Sequence, residues 1–189
     1  METKRVRVIG AGLAGSEAAL QLASFGFDVD LYEMRPEKPT PAHRGGALAQ
    51  LVCSNSFKGL ALTSAHGLLK NELNMLGSFL LKAAERTAVP AGESLTVNRD
   101  LFSEEVERLI LACPNITLHR EEVKTLEGEF PTIVAAGPLA SDTLADDIFK
   151  RLGSERLHFF DAIAPVVETE SIDFEHAFYK NRWEKGETE

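Results

Sequence analysis

The sequence predicts an α/β fold, and three stretches carry that prediction. Arg5-Val6-Arg7-Val8-Ile9 alternates into an apolar end, then meets Gly10-Ala11-Gly12-Leu13-Ala14-Gly15 and the helix-forming run Ser16–Ala23. Phe27–Glu33 alternates again and closes on an acid, and Thr132–Gly137 is an apolar run ending in a second glycine turn. Strand, glycine turn, helix and strand in that order make a βαβ unit, whose crossover helix requires parallel strands.

The remaining elements follow in chain order. Gly26 ends the first helix. Residues 34–64 hold Pro36, Pro39, Pro41, Gly45, Gly46 and Gly59 with little periodicity, so a long loop is expected there, and loops of that length are usually functional. Leu68, Leu69, Leu73, Leu76, Phe79, Leu80 and Ala83 recur at helical spacing and predict one helix from about residue 65. Pro90 and Gly92 break the chain before a short strand at Leu95–Val97. Phe102, Val106, Leu109, Ile110 and Cys113 then line one face of another helix, which places Cys113 in the core. Ile116–Leu118 reads as a strand, with Glu121–Val123 as its continuation or turn. Thr132–Gly137 reads as a buried strand. Ser141 is placed to cap a helix through Leu144, Ile148 and Leu152, and Leu157–Phe160 and Ala164–Val167 suggest two more short strands.

With 189 residues, 44% of them hydrophobic and 26% charged, the chain suits one compact soluble domain. No stretch approaches the roughly 18 apolar residues of a membrane span, and METKRVRVIG leads directly into a strand pattern, so a cytoplasmic protein is expected. The two cysteines, Cys53 and Cys113, match neither a metal-ligand spacing nor a disulfide framework, which fits a reducing compartment. A net charge of −9 spread evenly would argue against a nucleic-acid partner. The distribution is uneven: residues 33–82 carry six Lys/Arg against three acids, and residues 83–189 carry eleven against twenty-two. The basic segment is compatible with a phosphate-bearing ligand, although such a segment is more often an accident of solvated faces.

The glycine pattern has the context that gives it a mechanism. Gly10 permits the tight turn, Gly12 lets backbone N–H groups approach a pyrophosphate, and Gly15 allows close helix–strand packing, with the helix N-terminus supplying partial positive charge. Glu33, 23 residues after Gly10, is placed to accept hydrogen bonds from both ribose hydroxyls of an adenosine and to repel a 2′-phosphate. These residues define a Rossmann-like dinucleotide site and leave FAD and NAD both open. The long loop after Glu33 and the later strand ending Ala135-Ala136-Gly137-Pro138 favour FAD. Cys53 stands apart in "LVCSNSF", a polar stretch whose residues leave a structural and a reactive thiol both open.

The stretches VIGAGLAGSEAALQLA (8–23), LYEMRPEKPTPAH (31–43), LVCSNS (51–56), VPAGESLTVNRDLFS (89–103), IVAAGPLAS (133–141) and FFDAIAPVVETESID (159–173) run in family order along nearly the whole chain. In them the sequence resembles the folate- and FAD-dependent tRNA (uracil-5-)-methyltransferase family, TrmFO. GAGLAGSEA alone also suits the related GidA-type tRNA-modifying flavoproteins, whereas EMRP, TPAH and VCSNS are more specific.

The resemblance implies a glutathione-reductase-like FAD domain. Family members are more than twice as long, so residues 1–189 correspond to the N-terminal part of that domain, with an inserted subdomain starting within about 60–115. It implies methylation of the T-loop uridine of tRNA at C5, with methylenetetrahydrofolate as carbon donor, reduced FAD as reductant and NAD(P)H reloading the flavin. Cys53 then matches the family's active-site cysteine, adding to uracil C6 or handling the one-carbon unit; Cys113 does not match the second catalytic cysteine. The implied cofactor residues are Gly10, Ala11, Gly12, Leu13, Ala14 and Gly15 at the turn, Glu33, Met34 and Arg35 in EMRP, Val123 beside the adenine, and Ala136 and Gly137 at the returning strand. His43, Arg44 and Lys58 are further candidates for flavin phosphate, folate glutamate or tRNA phosphate, and Asn98 and Arg99 read as structural or cofactor-proximal. A small-molecule FAD- or NAD-dependent oxidoreductase is the alternative from another class.

Overall fold

The computed structural model describes residues 4–52, 54–153 and 169–177. Its first layer is a parallel sheet of β1 (Arg5–Ile9), β2 (Asp28–Tyr32), β6 (Ile116–His119) and β7 (Thr132–Val134), in the spatial order β6-β2-β1-β7. Register is set by pairs such as Val8↔Leu31, Leu31↔Leu118 and Val8↔Ile133. The β-branched and leucine side chains at Val6, Val8, Val29 and Leu31 are buried, as strands covered by helices require. Asp30 is buried among them because Arg5 donates to both its carboxylate oxygens, at 2.5 and 2.7 Å, and His119 Nε2 lies 3.0 Å away.

The helix α1 (Leu13–Ser24) connects β1 to β2 and packs its Ala19, Leu20 and Ala23 face into the core. It begins three residues before the Ser16 start that the sequence predicts, with Gly12 of the glycine turn at the N-cap position and no side chain capping it. The connection from β2 to β6 is long and contains a second, antiparallel sheet in the order β3 (Ser56–Gly59), β5 (Ser94–Val97), β4 (Ala88–Val89). Strand β3 falls in the segment expected to be loop. Only its pairing with β5 makes it a strand, and that is a long-range event that local periodicity does not record.

The helix expected over 65–83 is two helices, α2 (Ala65–Met75) and α3 (Phe79–Arg86). The chain turns at Gly77 and restarts at Ser78, whose hydroxyl accepts from Leu81 N–H at 3.2 Å. The break is completed from outside: the Glu17 carboxylate of α1 accepts from Ser78 Oγ, Phe79 N–H and Leu80 N–H at 3.0, 3.1 and 2.8 Å. An acid at a helix N-terminus satisfies donors that have no partner within the helix. α4 (Arg99–Leu111) starts at Asn98, which accepts from Asp100 and Leu101 N–H, so Asn98 is a cap. Phe102, Val106 and Ile110 bury fully against α1 and α3. The helix ends before Cys113, which is half-buried and packs on the core from just beyond the cap.

β7 is the sheet edge, and Ile133 and Val134 are 38% and 41% exposed rather than buried, since β1 flanks the strand on one side alone among the described residues. It runs into a 3-10 turn at Gly137–Leu139 and then α5 (Asp142–Leu152), whose cap Ser141 accepts from Leu144 N–H at 3.4 Å. The strands suggested at Leu157–Phe160 and Ala164–Val167 lie outside the described residues. Among the described residues no helix is long and apolar enough to cross a membrane.

Candidate functional site

The parallel strands end together on one side of the sheet, and a cavity of about 550 Å³ opens there. That size lies within the usual range for small-molecule and cofactor sites. Its floor is the glycine turn. Gly10 has φ +96°, and a Cβ on it would stand 2.6 Å from Ala136 Cα and 2.7 Å from Ala135 O, so the first turn and the returning strand touch backbone to backbone. A Cβ on Gly15 would meet Gly10 O at 1.7 Å. By contrast, a Cβ on Gly12 meets nothing within 4 Å, which leaves open space at the uncapped N-terminus of α1.

Gly10, Gly12, Leu13 and Ala14 line the cavity; Ala11 and Gly15 do not. Ala11 is fully buried and ties the site together. Its N–H donates to Glu33 Oε2 at 3.1 Å, and its carbonyl accepts from Ala49 N–H at 2.9 Å and Ser16 Oγ at 3.1 Å. Gly15 serves the packing of helix on turn. The sequence placed both in the cofactor site because a motif does not distinguish a residue that touches a ligand from one that lets its neighbours do so.

Glu33, Met34 and Arg35 form one wall. Glu33 is 5% exposed and Arg35 3%, and Arg35 Nε donates to Glu33 Oε1 at 2.8 Å while its backbone N–H donates to the same oxygen at 3.1 Å. Burial pushes the Glu33 carboxyl up, but the Arg35 guanidinium and the N–H groups of Arg35 and Ala11 outweigh it and hold the carboxyl below its ordinary value. A carboxylate offers about four lone-pair positions. Three are taken, so Glu33 has room for one ribose hydroxyl where the sequence suggested two.

Val123, Ala136 and Gly137 also line the cavity, with Glu121 and Glu122 beside Val123. Lys38 Nζ donates to Glu122 Oε1 at 2.6 Å, joining the loop after β2 to the segment after β6; Lys38 and Ser141 hold that carboxyl low. The polar end carries Thr40, His43, Gln50, Ser54, Ser56 and Lys58. His43 Nδ1 is 2.7 Å from Thr40 Oγ1, and burial, then Arg35, push the imidazole below its ordinary pKa, which favours the neutral ring. Arg44 is not on the wall: its backbone N–H and carbonyl are held by the Gln50 side chain at 2.9 and 2.7 Å. Cys53 lies outside the described residues; its chain neighbours Val52 and Ser54 both line the cavity.

Arg120, which the sequence did not single out, organises this end of the fold. It donates to the carbonyls of Arg35, at 3.1 Å, and Gly46, and its Nη2 donates to Glu107 Oε1 at 2.7 Å. It thereby pins the 34–50 loop to β6 and α4. An arginine closing a strand gives no local sign of such a role. Among the described residues no cluster of His, Cys, Asp and Glu is arranged to hold a metal ion.

A parallel βαβ unit, a glycine turn open at a helix N-terminus and an acid at the end of the second strand together define a Rossmann-like nucleotide-binding domain. The family model described as glucose inhibited division protein A matches residues 5–189, and the chain belongs to that family. It is 52% identical over 184 residues to the methylenetetrahydrofolate--tRNA-(uracil-5-)-methyltransferase TrmFO of Lactobacillus helveticus, covering 97% of this chain and 45% of the relative. The enzyme of the same name from Aquifex aeolicus is 52% identical over 183 residues, 97% of this chain and 41% of the relative. The chain thus spans less than half the length of these curated relatives. The crystal structure of Aquifex aeolicus GidA superposes with a TM-score of 0.53 at 21% identity, covering 66% of this chain and 20% of that one, a likeness of fold.

Proposed function

We propose that this chain holds FAD in the cavity and serves the C5 methylation of the T-loop uridine of tRNA, with methylenetetrahydrofolate as one-carbon donor and NAD(P)H as the source of electrons, in the cytoplasm. The observation that carries the reading is the 52% identity to TrmFO enzymes over 97% of the chain. The site suits the cofactor: the open space at Gly12 and the uncapped N-terminus of α1 fit a diphosphate, and Glu33 fits an adenosine ribose. Bound FAD would supply the electrons that turn a methylene unit into a methyl group.

The chain's own residues have separable tasks in this reading. Leu13 and Ala14 N–H groups bind the diphosphate, Glu33 orients the ribose, Val123 offers backbone groups to the adenine, and Ala136 and Gly137 close the cofactor from the returning strand. The Cys53 thiolate adds to uracil C6, which makes C5 nucleophilic, or else handles the one-carbon unit; the placement of Val52 and Ser54 on the wall supports a thiol acting there. The segment with α2, α3, β4 and β5 is read as holding the start of an inserted subdomain within about 60–115.

The test is a visible absorption spectrum of the purified protein, followed by incubation with methylenetetrahydrofolate, NADH or NADPH, and an unmodified tRNA transcript. A flavin spectrum and 5-methyluridine in the T-loop after nuclease digestion and mass spectrometry are expected. The family match to glucose inhibited division protein A favours a second reading, another flavin-dependent tRNA modification, which a different modified base would support. Turnover independent of RNA would identify a small-molecule oxidoreductase instead.

A further inference from the structure

Lys58 has a backbone that a lysine rarely adopts. Its φ is +69°, in the left-handed region, which costs a residue with a side chain about 1–2 kcal/mol. The cause is a bulge: Ser56 pairs with Thr96 and Gly59 with Ser94, so β3 carries one residue more than β5 between those pairs. Bulges re-aim side chains and recur beside active sites. This one is held from three directions. Phe57 packs edge-on against the buried Phe102 at 5.4 Å, the buried Lys70 ammonium donates to Phe57 O at 2.7 Å, and Lys58 N–H donates to Ser56 Oγ at 3.0 Å.

The product is a wall of donors. Ser54, Ser56 and Lys58 stand at alternate positions and all line the cavity. Ser54 Oγ accepts from Ser56 N–H at 3.1 Å and Ser56 Oγ accepts from Lys58 N–H, so each hydroxyl spends one lone pair on the backbone and keeps its proton to donate. No carboxylate among the described residues pairs with the Lys58 ammonium. Two hydroxyl protons and an ammonium on one wall suit an anion.

We propose that Lys58, with Ser54 and Ser56, recognises a carboxylate of the small second ligand, the glutamyl group of the folate-type carbon donor. This rests on the folate reading above. The cofactor's diphosphate has its own site at the N-terminus of α1. An RNA backbone needs many cations, and this segment has few to spare: Arg35 is spent on Glu33, Lys38 on Glu122 and Lys70 on two carbonyls, in a chain of net charge −9. One ammonium flanked by hydroxyls matches a single carboxylate.

The test is calorimetric titration of the flavin-loaded protein with tetrahydrofolate and with a reduced pterin lacking the glutamyl group. Lys58→Gln is expected to weaken tetrahydrofolate binding about tenfold, with affinity for the truncated pterin and flavin occupancy unchanged, and Lys58→Arg to restore most of the loss. Lys58→Gly is expected to show the same weakening while raising the thermal midpoint by about 2–4 °C, because glycine relieves the backbone strain. Unchanged tetrahydrofolate affinity in Lys58→Gln overturns the proposal. So does an equal loss of the truncated pterin, a loss of flavin, or a selective loss of tRNA binding. If the unaltered, flavin-loaded protein binds no tetrahydrofolate, the folate reading itself falls; a defect confined to the variants leaves that reading standing.

Discussion

Replacing Glu33 by Gln removes one charge and almost no volume from a place where both partners are nearly inaccessible. Arg35 is 3% exposed, and without the carboxylate its Nε–H faces an amide, while its Nη1 keeps a long 3.4 Å hydrogen bond to Gln50. Breaking a buried ion pair by removing one partner costs about 3–5 kcal/mol, since the surviving charge is left desolvated. For a chain of this size that corresponds to a fall in thermal midpoint of about 6–20 °C. The double variant Glu33→Gln/Arg35→Met removes the stranded charge and should recover most of the loss, because a matched apolar replacement of a buried pair is often neutral. Thermal and urea unfolding at pH 7 of the parent, both single variants and the double variant close the cycle. The acid limb carries the same signature. The folded-state pKa of Glu33 lies below its unfolded value, so its contribution is fully present above the unfolded value of about 4.3 and is lost as pH falls through the folded one. Glu33→Gln should therefore flatten the acid dependence of stability. A midpoint within about 2 °C of the parent, or an additive cycle, would refute the claim that this pair organises the site.

Gly15→Ala should destabilise the fold by about 3 kcal/mol, because its Cβ would stand 1.7 Å from Gly10 O, a backbone atom; an unchanged unfolding midpoint would contradict that geometry. Gly12→Val should keep the fold yet abolish flavin binding, since the space its side chain enters is open, and unchanged flavin occupancy would sink the diphosphate assignment. Arg120→Met frees the carbonyls of Arg35 and Gly46, so proteolysis within residues 34–50 should accelerate in the absence of flavin; an unchanged cleavage pattern would show that the loop is held without it. Mild alkylation with peptide mapping should label Cys53 before the half-buried Cys113, and the reverse order would remove Cys53 from the chemistry.

The sequence by itself determined the parts of this protein that local chemistry specifies. The alternation of Arg5–Ile9 and Asp28–Tyr32, the glycine turn between them and the acid that follows were legible because strand period, turn conformation and helix start depend on residues a few positions apart. Ser141 was equally legible as a short polar residue ahead of a helix, whereas the capping role of Asn98 emerged only in the folded chain. Tertiary structure decided whatever depends on a partner far along the chain. The break at Gly77–Ser78 is completed by Glu17, 61 residues from Ser78, and β3 exists because β5 pairs with it. Met34, Val123 and Gly137 line one cavity only when β2, β6 and β7 are brought into the same sheet. The basic charge of 33–82 is compatible in sequence with a phosphate-bearing ligand, yet folding pairs Arg35 with Glu33 and Lys38 with Glu122, the latter 84 residues away. A charge's partner is set by what the fold brings within about 4 Å of it, and that proximity is written in no local stretch of the chain.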